Sequence, residues 1–496
     1  MPTVAAQHES PAPHANPDED VQAARRWQVS TWLFGAVMAA ALSASVLAIP
    51  VQVTDSIVPL LQAERLPSVM EAMRGSVGNQ GYFRPLRIGQ IQALYILAGE
   101  THYTAVFKGF HVLLVVALLA GFVSVLRVQS ATDFLVAVFA MTVLIGHQAF
   151  LGTVWEAYPI NHFLEVGVFC VFALVLSRSS GGWWVDALAV LTLAAAALTL
   201  ESGLLVWVVL VAAWLAGWRG VSGRAVGVAS ALLCAYVYVR FVYFTTGMPT
   251  LVERESGFWT ARLSTDELVA RFGANPWIFY AYNVLASFMG VLFAEPRAGV
   301  YSIPLQWQRD GALSPATLLT VSTSVATTAF VVWAAVSRVP GWFRARFDDT
   351  GRFLFVALAV IGANAAISYG YTKDEIMSPG GLFYALGAFA AVRQAVHSAG
   401  GRTTASWRQG LLAAALFAVA AGWVVRDVGT HYNMQRMVSL VRNEWVGVDK
   451  WLQNEDAAPV SDAQRRIVQV LRDEAIAKHG SRPFFFPLWA ERWLQQ

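Results

Sequence analysis

The residues best suited to chemistry in this chain are a scattered set of acids and bases: Asp55, Glu156, Glu201 and the run Lys373-Asp374-Glu375, together with Arg84 and Arg87. Each stands near the end of a long apolar run. Together they suit one kind of reaction. A carboxylate takes the proton from a hydroxyl or amine as that acceptor attacks an electrophilic carbon. Arginine or lysine holds a departing phosphate, whose negative charge grows during the transfer. Carboxylates crowded at low dielectric are costly, so one of them holds its proton more tightly or a divalent metal ion bridges them.

Every one of these residues also has a plainer reading. Asp55 alone suits a solvated helix cap. Glu156, between Trp155 and Tyr158, suits an interfacial residue beside aromatic anchors. Glu201 suits a hydrogen bond that holds a turn, and Lys373-Asp374-Glu375 a solvated loop. Arg84 and Arg87 suit arginines reaching to the headgroup level. His147 and His162 flank the Glu156 segment as metal ligands or as core histidines. Tyr158, Trp155 and Tyr82 offer faces on which a sugar ring could stack, and are equally at home at an interface. The case for chemistry rests on these signals falling on one face.

The elements that must position them are apolar. Hydrophobic residues make up 56% of the chain and charged ones 14%, against about 45–50% and about 25% in soluble domains. Eleven or twelve long apolar stretches fill residues 30–425, most near the ~20 residues a bilayer crossing needs. The expected fold is therefore an all-α, polytopic transmembrane bundle of eleven spans, or twelve. Amphipathic helices are expected in its outer loops, and a small polar helical tail at its C-terminus. The domains read as a disordered cytoplasmic tail over 1–28, a membrane domain over 29–427 and an extracytoplasmic helical tail over 428–496. The formal charge of +3 forms no basic stripe, which argues against nucleic-acid binding. The two cysteines, Cys170 and Cys234, sit in apolar runs as small core residues.

Arg25-Arg26 before the first span and the bias of later arginines place the N-terminus in the cytoplasm. Residues 183–218 are too long for one crossing, and the Glu201-Ser-Gly interruption divides them into two. If 276–294 and 313–336 both crossed, Arg338, Arg344, Arg346 and Arg352 would fall on the wrong face. The segment 276–294, with Tyr280, Tyr282 and Asn283 on one side, is therefore expected to be interfacial or re-entrant. In the first outer loop, 62–73 and 88–98 read as amphipathic helices fit to lie at the headgroups. In the tail, 434–452 and 462–478 read as helices, the second capped by Ser461.

In order and type, these features resemble the GT-C superfamily of polytopic glycosyltransferases, which includes protein O-mannosyltransferases and aminoarabinose transferases. The likeness runs from the first span to about residue 396. It is carried by Asp55 just past that span and Arg84-Pro85-Leu86 leading into a helix. Glu156, Glu201 in Leu-Glu-Ser-Gly and the charged run at 373–375 complete it. Asp55 stands alone where many relatives have paired acids. The resemblance implies an inverting transferase with Asp55 as the general base and Glu156 positioning the acceptor or a metal. It implies a polyprenyl-phosphate sugar as donor and a glycan, lipid or protein as acceptor. Arg84, Arg87 and Lys373 would contact the donor, with Glu201, Asp374, Glu375 and Tyr158 as further binding residues. No cofactor is certain; a divalent metal ion is compatible. The implied location is the bacterial plasma membrane, among membrane lipids. A transporter or flippase of a lipid-linked or anionic solute is the alternative. The absence of repeated halves and the acids at helix ends weigh against it. A third reading is a non-catalytic partner in envelope synthesis, which would tolerate Asp55→Asn.

Overall fold

The computed structural model describes residues 17–49, 57–77, 83–99, 101–150, 161–244, 251, 254–400, 407–438, 453 and 461–478. The described residues are all-α apart from one small hairpin, β1 (Ser256–Phe258) and β2 (Ala261–Leu263). In chain order the helices open with α1 (Pro17–Ala48), α2 (Ile57–Glu64), α3 (Val69–Val77), α4 (Pro85–Ala98) and α5 (Tyr103–Val125). Next come α6 (Ala131–Gly146), α7 (His162–Ser177), α8 (Trp183–Thr199), α9 (Leu205–Leu215) and α10 (Gly223–Tyr238). Beyond the hairpin lie α11 (Thr265–Phe272), α12 (Pro276–Phe293), α13 (Ser302–Asp310) and α14 (Pro315–Val336). The series closes with α15 (Asp349–Ile367), α16 (Ser378–Gly400), α17 (Trp407–Val438) and α18 (Asp462–Ala477).

Among the described residues, eight helices are long and apolar enough to cross a membrane, and four shorter apolar ones accompany them. Contacts between helix ends sort these into two layers. At the end with short linkers, the Val128 N–H donates to Gln28 at 3.0 Å and the Gly220 N–H to the Ser177 carbonyl at 3.0 Å. Asp186 there accepts from the Ser222 N–H at 2.8 Å. Arg393 and His397 meet Asp133 at 2.7 and 3.0 Å, and Arg178 lies over Trp218 and Phe353. At the opposite, capped end, buried Lys108 donates to the Val46 and Ile49 carbonyls at 2.8 and 2.7 Å. Its ammonium satisfies carbonyls that the end of α1 would otherwise leave bare, and opposes the helix dipole there.

α16 runs through the centre. Leu382, Phe383, Leu386 and Phe389 are buried, and small residues at Ala385, Gly387, Ala388 and Ala391 let α14 and α15 approach it closely, as packing in lipid requires. A helix apolar on every side belongs inside a bundle.

α12 does not simply pass through. Tyr282, early in the helix, donates to the Gly299 carbonyl at 2.6 Å, although Gly299 lies beyond the helix's far end. That far end is held by His147 against the Val291 carbonyl at 2.9 Å and by Thr328 against Leu292. The chain then turns back through left-handed Ala294 and Gly299. The Ala298 N–H reaches Asp374 at 3.0 Å and the Tyr301 N–H reaches the Trp259 carbonyl at 2.7 Å. The segment after α12 thus folds back alongside the helix as far as Tyr282. The polar side expected of this segment is used internally: Asn283 donates to the Tyr369 carbonyl at 2.9 Å.

The cap over the first loop is built by α2, α4, the start of α5 and α18. Leu60, Leu61, Ile91, Tyr103 and Phe107 meet Ile467, Val468 and Leu471 in one buried cluster. Gln464 donates to the Leu61 carbonyl at 3.0 Å, Ser461 to Glu64 at 3.0 Å, and Lys478 to the Leu47 and Ile49 carbonyls. The expected helix over 462–478 is therefore present, with Ser461 and Gln464 forming a capping box.

Three boundaries differ from expectation. The segment 62–73 is two helices, because Pro67 has no N–H and pushes Leu66 out of the helical region. α1 reaches back to Pro17, so the expected tail over 1–28 is helical from that residue, with proline in the first turn, where it is tolerated. α17 continues past Asp427 to Val438, so the membrane domain and the tail share one helix there. The rest of the expected helix over 434–452 lies outside the described residues.

Candidate functional site

The centre of the capped end is a three-residue ion cluster. Arg84 Nε meets Glu201 Oε1 and Oε2 at 3.2 and 2.9 Å, and its Nη2 also reaches Oε2. Arg240 Nη2 meets Oε1 at 3.2 Å, and its Nη1 donates to the Tyr236 hydroxyl at 3.2 Å. Each side chain has a local cause. Arg84 immediately precedes α4, whose first residue is Pro85, so the chain enters the helix at a fixed angle. Glu201 opens the 3-10 turn Glu201–Leu204 joining α8 to α9. That turn packs so closely that a Cβ on Gly203 would lie 2.0 Å from the Ala196 carbonyl oxygen. Arg240 lies on the π-turn Val239–Tyr243 that widens the end of α10, a distortion common at working sites.

A second group adjoins it. α4 carries Arg87 and Gln90 one turn apart. Gln90 donates to Glu165 on α7, and His162 Nδ1 lies 3.5 Å from the same carboxylate. Arg84 and Arg87 both act electrostatically on His162, and Arg87 on Glu165. The next residue, Phe163, has the Lys373 ammonium 5.8 Å from its ring centre, which ties the late charged run to this end. Lys373 also pairs with Glu375 at 3.7 Å.

Asp374 plays another part. It accepts the Ala298 N–H and so latches the segment after α12, while Thr372 is buried beside Gly299. The run at 373–375 is accordingly not a solvated loop. His147 is accounted for as well, its ring fully buried just past α6. Its Nε2 donates to the Val291 carbonyl and its Nδ1 accepts the Ala149 N–H at 3.3 Å. Both nitrogens are used in packing, and neither is left for a metal.

Below the ion cluster lies an apolar cleft of about 200 Å³ between α8 and α10, lined by Phe83, Leu193, Leu198, Leu232, Tyr236 and Val239. Phe83 and Tyr236 therefore touch the cleft while their chain neighbours or partners, Arg84 and Arg240, hold Glu201.

Of the residues expected from sequence, Arg84, Arg87, Glu201 and Lys373 come to one end of the bundle. Asp55, Glu156 and Tyr158 lie outside the described residues. Of the described residues that flank them, Ile49 follows the end of α1 and accepts from Lys108, Ile57 opens α2, and Asn161 caps the start of α7. Glu165, Gln90 and Arg240 were not anticipated. A single acid one turn into an apolar helix, in His162-Phe-Leu-Glu165, was the available signal for the first. Among the described residues, no three His, Cys, Asp or Glu side chains gather as a metal site. Compared with family models, curated proteins and solved structures, the chain finds no match.

Proposed function

We propose that the chain is a GT-C-type integral membrane glycosyltransferase, moving a sugar from a polyprenyl-phosphate donor to a hydroxyl or amine acceptor. The observation that carries this reading is the pair Arg84 and Arg240, bridged by Glu201, at the head of an apolar cleft. Arg84 and Arg240 are donors to a lipid phosphate seated at the head of the cleft, and the cleft below accepts an isoprenoid tail. Arg87 and Lys373 add charge at the same end. Asp55 takes the acceptor's proton as its oxygen or nitrogen attacks the anomeric carbon. The bond from that carbon to the phosphate oxygen breaks, and polyprenyl phosphate leaves with the electron pair. One displacement inverts the anomeric centre. Glu156 positions the acceptor.

Eleven crossings follow if α12, itself long and apolar enough to cross, is instead re-entrant; its hydrogen bond from Tyr282 to Gly299 supports that reading. The short linkers carry Arg127, Arg178, Arg219, Arg338, Arg344 and Arg346. The positive-inside rule assigns them and the N-terminus to the cytoplasm of a bacterial cell, and the cap to the outside of its plasma membrane. The test follows release of labelled sugar from polyprenyl-phosphate donors in membranes holding wild type, Asp55→Asn or Glu156→Gln. Transfer by the wild type and a loss of at least about a hundredfold in Asp55→Asn are expected. An unchanged rate in Asp55→Asn removes the base assignment. Movement of intact donor across the bilayer, with no sugar released, replaces transfer with transport.

A further inference from the structure

At the end opposite the ion cluster, a cavity of about 720 Å³ opens between the end of α9 and the linker joining α14 to α15. Arg219, Arg338, Arg346 and Arg352 line it, against the Asp348 carboxylate. Arg338 is committed to Asp348, with Nε to Oδ1 at 2.8 Å and Nη2 to Oδ2 at 2.7 Å. The other three are not neutralised to the same degree. Arg219 donates to the Trp214 carbonyl at 2.6 Å and lies over that indole, which fixes its position without cancelling its charge. Arg352 reaches Asp349 only at 3.5 Å, and its Nε is buried with no acceptor. Among the described residues, the Arg346 side chain makes no hydrogen bond or ion pair.

The backbone is shaped to present these groups. The Arg346 N–H donates to the Gly341 carbonyl at 2.9 Å, and Ala345 takes a left-handed φ of 53°, which only a tight turn makes worthwhile for a residue with a Cβ. Apolar residues flank the lining along the chain: Leu215 lines the cavity, Val336 precedes its Ser337, and Phe343 lies between its Gly341 and Ala345; all three are exposed, Phe343 by 88%. Surplus guanidiniums inside, with aliphatic and aromatic side chains outside, match an anion that carries its own hydrocarbon.

We propose that this cavity binds the phosphate of an anionic membrane phospholipid, its acyl chains lying against Leu215, Val336 and Phe343. Arg346 and Arg219 contact the phosphate oxygens, and Arg352 supplies the buried donor. The site is distinct from the ion cluster at the capped end and does not depend on the reaction proposed there.

The experiment uses the full-length chain purified in mixed micelles of phosphatidylglycerol and phosphatidylcholine, with retained lipid read by native mass spectrometry. Wild type is expected to retain phosphatidylglycerol selectively. The variant Arg219→Ala/Arg346→Ala changes two exposed side chains, so the fold is kept. It is expected to lose that preference by roughly tenfold or more, about one factor of five or so per arginine. The control Arg262→Ala/Arg309→Ala removes the same charge from exposed sites on the capped end and is expected to bind as wild type does. Equal retention of the two lipids by wild type, or equal losses in both double variants, overturns the site. A parallel arm adds millimolar inorganic phosphate without lipid. Thermal protection by phosphate in a protein that shows no lipid preference overturns the lipid assignment in favour of a soluble anion.

Discussion

Replacing Glu201 by Gln is the most direct test of the ion cluster. The change keeps the side chain's size and one acceptor oxygen, so no cavity forms and the effect is electrostatic. Glu201 is 18% exposed, Arg84 19% and Arg240 9%. Removing one partner of a buried pair costs about 3–5 kcal/mol, because the remaining charges stay desolvated. The partial exposure here lowers the expected loss to about 3 kcal/mol. Arg84 makes three of the contacts and Arg240 one, which sets a ranking: Glu201→Gln costs most, Arg84→Gln less and Arg240→Gln least. The assay is reversible unfolding in mixed micelles of dodecyl maltoside titrated with sodium dodecyl sulfate. In a double-mutant cycle, Glu201→Gln/Arg84→Gln should recover about 1–3 kcal/mol relative to the sum of the single changes. A loss below about 0.5 kcal/mol for Glu201→Gln, or strict additivity, would refute the cluster as the force holding the α8–α9 turn against α4 and α10.

Gly203→Ala introduces no charge, yet its methyl would sit against the Ala196 carbonyl; a loss of about 1–3 kcal/mol is expected in the same titration, together with weaker donor binding. Leu471→Ala removes a side chain buried between α18 and α2 and should cost about 2–5 kcal/mol, exposing residues 57–77 to limited proteolysis faster than in wild type. Arg338, through its hydrogen bonds, holds the Asp348 carboxyl below the usual aspartate range, so this contribution is complete above that range and is lost as pH falls through the lowered value. The thermal gap between wild type and Asp348→Asn should therefore shrink in acid, and, with Asp348 more than half exposed, it should be under about 1 kcal/mol at neutral pH. In a Cys234→Ala background, an impermeant maleimide should label Trp259→Cys on intact cells and Phe343→Cys only after permeabilisation, both positions being exposed; the reverse pattern inverts the orientation.

What the sequence made legible was local. Ser461 announced the start of α18, Arg84-Pro85 announced α4, and Glu201 in an otherwise apolar run announced the turn between two helices. Arginine bias and a polar side made 276–294 read as interfacial or re-entrant, yet the helix there is itself long and apolar enough to cross. What stayed hidden depended on partners far along the chain. Arg240 belongs to Glu201, and Glu165 belongs to Gln90 on α4, but helices apolar on all sides carry no periodic signal saying which face meets which neighbour. For the same reason nothing in the apolar run around Lys108 shows that it closes the end of α1. The run at 373–375 looked open because nothing in it reveals that Asp374 would accept the Ala298 N–H beyond α12.

The docking of α18 has a consequence for biosynthesis. The apolar sides of α2 and α4, made near the start of translation, are covered by Ile467, Val468 and Leu471, which emerge only near its close. During elongation that patch must be shielded by translocation factors or lipid, and a ribosome product ending before residue 461 would display it permanently. Such truncated chains should be the ones that quality-control proteases recognise.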